Sequence, residues 1–272
     1  LSDLNKYVSD CKIEDLIKIT ETHFNNQIND LVSGIVKKKA RYVLIAGPSS
    51  SGKTTTTKKI ALQLRSRGYD VLMISVDDYF KDKIEAPRDA EGNYDFECLE
   101  ALDLKLLNKQ LKELIAGKKV SIPTYNFALG EKEYKNAPIK LQDNAIILME
   151  GLHCINDSMT PDLDPELKYK VYLSPFIPLN IDRHNYVSTT DLRLMRRMVR
   201  DNRTRATDVG ATIDYWNIVR SGEEKHIFPH ITNIDKVVNT SLIYEVGVLK
   251  VYAEPLLYNV KEDDPEYLTA IR

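Results

Sequence analysis

The stretch Tyr42-Val43-Leu44-Ile45-Ala46-Gly47-Pro48-Ser49-Ser50-Ser51-Gly52-Lys53-Thr54 decides the fold. Five apolar residues read as a buried strand, and the eight that follow fit G-x-x-x-x-G-K-[ST], with a helical run from Lys53 to Arg67 behind them. Strand, glycine-rich loop and helix together make a phosphate cradle. The glycines let backbone N–H groups converge on phosphate oxygens, and the helix adds its positive N-terminal end. Lys53 is placed to reach the β- and γ-phosphates, and Thr54 to put its hydroxyl on Mg²⁺. Gly47, Ser49, Ser50, Ser51, Gly52 and Thr55 complete the expected ATP-binding set. No N-K-x-D guanine-reading order occurs, since Asn233-Ile234-Asp235-Lys236 lacks it, so ATP is favoured over GTP.

Outward from this loop, short apolar runs alternate with helical segments, the signature of an α/β protein with a parallel sheet. Strands are expected at Tyr42–Ala46, Val71–Ser75, Val120–Ile122, Ala145–Met149, Tyr169–Leu173 and Lys236–Val238. Helices are expected at Ile13–Val36, Lys53–Arg67, Glu100–Ala116, Thr189–Arg203, Ala211–Arg220 and Leu242–Leu257. The fold class is therefore a P-loop NTPase fold, a parallel sheet flanked by helices, with an arginine-rich helical lid. We divide the chain into an N-terminal helical extension (1–40), a P-loop domain (41–260) and a C-terminal tail (261–272). That tail holds a helix-like run, Pro265–Ile271, and reads as cut short; the first residue, Leu1, likewise suggests a piece of a longer polypeptide.

The 272 residues are 43% hydrophobic and 29% charged, which excludes disordered and low-complexity classes. Lysines and arginines number 38 against 40 acidic residues, so no global field exists to hold a nucleic acid or an anionic membrane. Cys11, Cys98 and Cys154 lack metal-ligand spacing and suit a reducing, cytoplasmic compartment. No apolar run approaches membrane-spanning length.

Two acids end apolar strands. A ligand in an open parallel sheet sits beyond the carboxyl ends of the strands. Asp77, just after Val71–Ser75, is thus placed to take a proton from an attacking hydroxyl, with Asp78 the weaker candidate. Glu150, after Ala145–Met149, occupies the place of an acid that orients Mg²⁺. His153 reads as a structural hydrogen-bonder. Seven of the 13 arginines fall between Arg183 and Arg205. Ser188 and Asp191 open a helix as a capping box, and Arg193, Arg196, Arg197 and Arg200 recur at three- and four-residue steps behind it. No lysine lies between Asp182 and Val219. A row of this kind suits a lid that clamps transferring phosphate oxygens; the alternative is a solvated face paired with Asp191, Asp201 and Asp208.

Gly47–Thr54, Ser75-Val76-Asp77-Asp78-Tyr79-Phe80, Ile122-Pro123-Thr124-Tyr125-Asn126-Phe127, Glu150-Gly151 and Arg196-Arg197-Met198-Val199-Arg200-Asp201, in that order, resemble the uridine kinase and phosphoribulokinase family. Within it, the chain looks most like the uridine kinase-like domain that lies behind a threonyl-tRNA-synthetase-like region in longer bacterial proteins. The resemblance implies ATP- and Mg²⁺-dependent transfer of the γ-phosphoryl group to the 5′-hydroxyl of a pyrimidine nucleoside. It implies that Asp77 is the catalytic base and Glu150 the magnesium-orienting acid. By the same resemblance Phe96, Tyr125, Phe127 and Arg197 contact the nucleoside, and Arg200 and Arg205 contact phosphate. The chain departs from the family at Glu97, where an aspartate holds the ribose, at Gly130, where a histidine reads the base, and at Thr207 and Tyr215. The expected partner is a small nucleoside acceptor, with a homo-oligomer as a further option. The rival readings are a kinase for another sugar or small alcohol, an ATP-sensing module without catalysis, and a nucleotide hydrolase.

Overall fold

In chain order the helices and strands are α1 (Ser2–Ser9), α2 (Ile13–Lys38), β1 (Tyr42–Ala46), α3 (Lys53–Ser66), β2 (Val71–Ser75), α4 (Leu104–Ile115), β3 (Thr124–Asn126), β4 (Glu131–Glu133), β5 (Ile146–Glu150), β6 (Lys168–Ser174), α5 (Thr189–Arg205), α6 (Val209–Asp214), α7 (Trp216–His226), β7 (Lys236–Asn239), α8 (Glu245–Leu257) and α9 (Tyr267–Ala270). This computed structural model describes residues 1–88, 92, 94–127 and 129–270; the expected helical run to Ile271 therefore ends outside the described residues.

Five strands form a parallel sheet in the order β2-β5-β1-β6-β7. β1 is buried along its whole length, as is β5 up to Met149, which is why both read as unbroken apolar runs. One face of the sheet packs Val43, Ile45, Ile146, Leu148 and Val171 against Ile60 and Leu64 of α3 and Ile28, Leu31, Val32 and Ile35 of α2. The opposite face packs Leu44, Ile147 and Met149 against Leu107 and Leu111 of α4 and the segment around Ile155 and Met159. The apolar stripe of α2 thus belongs to the core along its C-terminal half. The helix ends at the run Lys37-Lys38-Lys39, with Lys39 in the left-handed conformation (φ 56°).

Three expectations are corrected. Val120–Ile122 is not a strand of the sheet: Val120 makes a single antiparallel bridge with Ile139, and Pro123 follows directly after Ile122. The strand in this region is β3, which pairs antiparallel with β4 in a separate hairpin. The helix expected from Glu100 begins at Leu104, because Leu99–Ala101 closes a 3₁₀ turn and Asp103 accepts the Leu106 N–H at 3.0 Å as N-cap. The helix expected over Ala211–Arg220 is two helices, α6 and α7, broken at Tyr215.

Register places the site. Glu150 is level with Ile45 in β1 and with Ser75 in β2. The carboxyl ends of three adjacent strands therefore deliver Gly47, Val76-Asp77 and Glu150 to one edge of the sheet.

Candidate active site

Between β1 and α3 the chain turns through two left-handed residues, Ser50 (φ 58°) and Gly52 (φ 89°). Gly47 has no room for a side chain: a Cβ there would lie 2.4 Å from the Leu173 carbonyl oxygen. The glycine is therefore what lets the loop leave β1 against the end of β6. The loop is held from outside by partners distant in sequence. Thr240 Oγ1 donates to the Ser51 carbonyl (2.6 Å), and Arg196 donates to the carbonyls of Ser50 (3.3 Å) and Thr240 (2.9 Å). The Ser49 N–H donates to a carboxylate oxygen of Glu223 (3.0 Å).

Lys53 folds its ammonium onto the loop, donating to the carbonyls of Gly47 (2.8 Å) and Pro48 (3.1 Å). Thr54 Oγ1 donates to Glu150 Oε1 at 2.6 Å, which brings the two expected magnesium-binding groups together. Burial raises the Glu150 carboxyl above its ordinary range, opposed by the Thr54 hydrogen bond and the Lys53 charge. Among the described residues, no group of three or more His, Cys, Asp or Glu side chains is arranged to cage an ion. A P-loop site needs none, since Mg²⁺ there takes one or two protein oxygens and fills its octahedron with phosphate and water.

A cleft of about 950 Å³ opens over this loop and is lined by every residue of the expected site except Gly47, whose carbonyl instead holds Lys53. Asp77 stands in the 3₁₀ turn Val76–Tyr79 after β2 and lines the cleft, with its side chain open to solvent there. Its desolvation raises the carboxyl, with Lys53, Arg205 and Arg200 pulling it back. Asp78 does something else: Oδ1 accepts the Tyr125 N–H at 3.0 Å, so it anchors β3 and is not free to act on a ligand.

Tyr125, Phe127 and Phe96 lie on one side of the cleft, gathered around Phe80. The Phe80 ring makes edge contacts with Phe96 (5.8 Å), Tyr125 (5.7 Å) and Phe127 (6.4 Å). Phe127 is 65% exposed, whereas Tyr125 is buried with its hydroxyl unpartnered. Glu97 also lines the cleft; burial drives its carboxyl up to about 7 against the pull of Arg197 and Lys53. His153 Nε2 bonds the Glu97 carbonyl (2.9 Å), and burial together with neighbouring His226 holds the imidazole down to about 4, so it is neutral. That matches the structural role read from the sequence.

The arginine row divides. Ser188 caps α5 by accepting the Asp191 N–H at 3.0 Å. Arg196, Arg197, Arg200 and Arg205 line the cleft. Asp201, itself buried, collects three of them: Arg200 at 2.7 Å, Arg197 at 3.2 Å and Arg205 at 3.5 Å. Arg197 also donates to Ser49 Oγ (2.9 Å). Arg193 departs from the expected phosphate-facing row: it is buried and pairs with Glu223 (2.7 Å).

Sequence reasoning missed Glu223, Thr240 and the central place of Phe80; it named Asp201 as an arginine partner, but on a solvated face, and the residue is buried. Glu223 sits in the polar run Gly222-Glu223-Glu224-Lys225, which reads as solvent-facing, and its partners are 30 and 174 residues away. Phe80 stood beside Asp77 in a quoted motif, and aromatic clustering with Phe96, Tyr125 and Phe127 was the available signal.

Glycine-rich loop, helix, strand-end acids and a basic helix above them define a P-loop kinase that uses ATP. The sequence pattern of the phosphoribulokinase/uridine kinase family matches residues 43–244, and the chain belongs to that family. It is 32% identical to a uridine kinase of Macrococcus caseolyticus over 194 residues, 70% of this chain and 84% of that one. It is 31% identical to a uridine kinase of Staphylococcus aureus (strain JH9) over 195 residues, 71% and 84% of the two chains. The fold is shared with a solved structure described as a possible uridine kinase from Bacillus stearothermophilus, with a TM-score of 0.50 and 22% identity over 79% of this chain and 98% of that one. Among the described residues no helix is long and apolar enough to cross a membrane.

Proposed function

We propose that the chain transfers the γ-phosphoryl group of ATP to the 5′-hydroxyl of a pyrimidine nucleoside, uridine or cytidine. The observation that carries this reading is that Asp77 and Lys53 line one cleft together with the aromatic cluster of Phe80, Phe96, Tyr125 and Phe127. A flat base stacks against such a wall, and Phe127, 65% exposed, presents its ring to it. The uridine kinases to which the chain is similar support the same acceptor.

In this reading the nucleoside's 5′-hydroxyl lies against Asp77, whose carboxylate takes the proton as the oxygen attacks. The charge on the moving phosphoryl oxygens is balanced by Lys53, which swings off the Gly47 and Pro48 carbonyls, and by Arg197, Arg200 and Arg205. The unpartnered Ser50 and Ser51 hydroxyls and the loop N–H groups suit phosphate oxygens. Thr54 and Glu150 would hold Mg²⁺, which when bound supplies neutralisation of the β- and γ-oxygens. Closure of α5 over the cleft keeps water out.

The test is ADP release with a panel of nucleosides, sugars and sugar phosphates, run with Asp77→Asn beside wild type. Uridine or cytidine should stimulate turnover, and Asp77→Asn should lower kcat about 10²- to 10⁴-fold while ATP affinity stays within about twofold. Stimulation by a sugar alone would move the acceptor to that class. No stimulation by any acceptor, or an Asp77→Asn variant with unchanged kcat, would refute the kinase mechanism.

A further inference from the structure

The cleft has two ends, and only one is accounted for by the acceptor. The aromatic wall and Asp77 lie at the β2 side of the loop, so a γ-phosphoryl group waiting for transfer points there. The α-phosphate and the nucleoside of ATP must then extend the other way, past the first turn of α3 towards β7. That end of the cleft is lined by Thr55 and Lys59 of α3, Thr240 and Leu242 after β7, and Glu21 and Phe24 of α2.

α2 lies wholly outside residues 43–244, the part of the chain that carries the family pattern. Yet it is fastened to the cleft. Its buried residues Ile28, Leu31, Val32 and Ile35 pack in the sheet core, and Gln27 Oε1 accepts the Asn239 N–H (3.3 Å) at the end of β7. Glu21 is held in place by the Tyr244 hydroxyl (3.0 Å). Phe24 is half-buried against the core and lines the cleft, with the Lys59 ammonium over its ring at 5.6 Å, so a stacking base would take the place that this cation now holds.

We infer that α2 is a working wall of the nucleotide site: the purine ring of ATP stacks on Phe24 with Leu242 opposite, and Glu21 accepts a hydrogen bond from the exocyclic amino group at the rim. Phe24 is then a base-binding residue supplied by a segment outside the family pattern, while the triphosphate rests on the loop and the cleft arginines. The inference rests on the ATP-using kinase reading above and deepens it.

The experiment compares wild type, Phe24→Ala and Phe24→Tyr in the full 272-residue chain, by calorimetric binding of ATP and of inorganic tripolyphosphate in the presence of Mg²⁺, with KM for ATP and for the acceptor measured in parallel. A base stacked on an aromatic side chain is lost to alanine at a cost that corresponds to about 10- to 100-fold in affinity. We expect Phe24→Ala to weaken ATP by that factor and to leave tripolyphosphate binding and the acceptor KM within twofold. Phe24→Tyr should restore ATP affinity, and Glu21→Gln should weaken ATP by several-fold with tripolyphosphate again unaffected. Unchanged ATP affinity in Phe24→Ala, or an equal loss for ATP and tripolyphosphate, would overturn the inference, the latter because it marks damage to the fold and not to a base contact. Wild type that binds ATP but phosphorylates no acceptor would sink the kinase reading while the α2 inference still stood or fell on these affinities. Wild type that binds no ATP would overturn both.

Discussion

The ion pair between Arg193 and Glu223 offers a sharp test of how the lid helix is tied to the loop. Both side chains are all but sealed from solvent, 2% and 0% exposed, with Nη2 and Oε2 2.7 Å apart. Their surroundings are unequal. Glu223 also accepts the Ser49 N–H and has Arg220 at 3.6 Å, whereas Arg193 has the Trp216 ring at 5.2 Å and an Nε without a partner. Removing one member of a buried pair leaves an uncompensated charge and costs about 3–5 kcal/mol. Glu223→Gln preserves the amide oxygen for Ser49 but strands Arg193, so it should cost that full amount. Arg193→Met leaves Glu223 with Arg220 and an N–H donor, and should cost less, about 1–3 kcal/mol. The double variant carries no unpaired charge and should cost no more than about 2 kcal/mol, well under the total of the two single changes. Urea unfolding followed by the fluorescence of Trp216, the one tryptophan of the chain, reads all four proteins directly at the pair. The reasoning is refuted if Glu223→Gln is no more destabilising than Arg193→Met, or if the two changes add.

Glu97 is raised to about 7 by burial, so the folded state holds a proton there that the unfolded chain releases at its ordinary carboxylate pKa. Stability from this group is therefore lost as pH climbs from about 4.5 to 7; Glu97→Gln should gain up to ~3 kcal/mol relative to wild type between pH 4.5 and 8, and parallel unfolding curves over that range would contradict it. Gly47→Ala forces a Cβ against the Leu173 carbonyl, where the neighbour is backbone and cannot yield cheaply. It should cost about 1–3 kcal/mol in urea unfolding and weaken ATP binding, and a variant with wild-type stability would show that the loop has more room than these distances give it.

The strands that position the loop were readable because each is a short apolar run closed by a glycine or an acid: Gly47, Asp77 and Glu150. Burial on both faces of the sheet writes itself into composition. The hairpin β3–β4 was not readable from alternation, since three residues a side carry too little pattern and its role is to present Tyr125 and Phe127. It was the resemblance that pointed to those residues. Arg193 misled because spacing along a helix reports which residues share a side, not how far round that side the core extends. Glu223 was opaque for a related reason. A buried acid looks like a surface acid until the cation that balances it is known, and for Glu223 that cation is on another helix.

The segment just after β2 carries more than Asp77. Asp78 holds the Tyr125 N–H, Asp82 accepts the Lys132 N–H (3.1 Å), and the Lys83 N–H donates to the Gly130 carbonyl (2.7 Å). The hairpin is thus hung, bond by bond, from the segment that bears Asp77, while the glycine-rich loop is braced by Thr240, Arg196 and Glu223 from the far half of the chain. Acceptor and donor halves of the cleft consequently have separate suspensions. A graft that exchanges the hairpin together with its hanging points carries its own distance from wall to carboxylate, so acceptor preference can drift or be re-engineered as a cassette without retuning the grip on ATP.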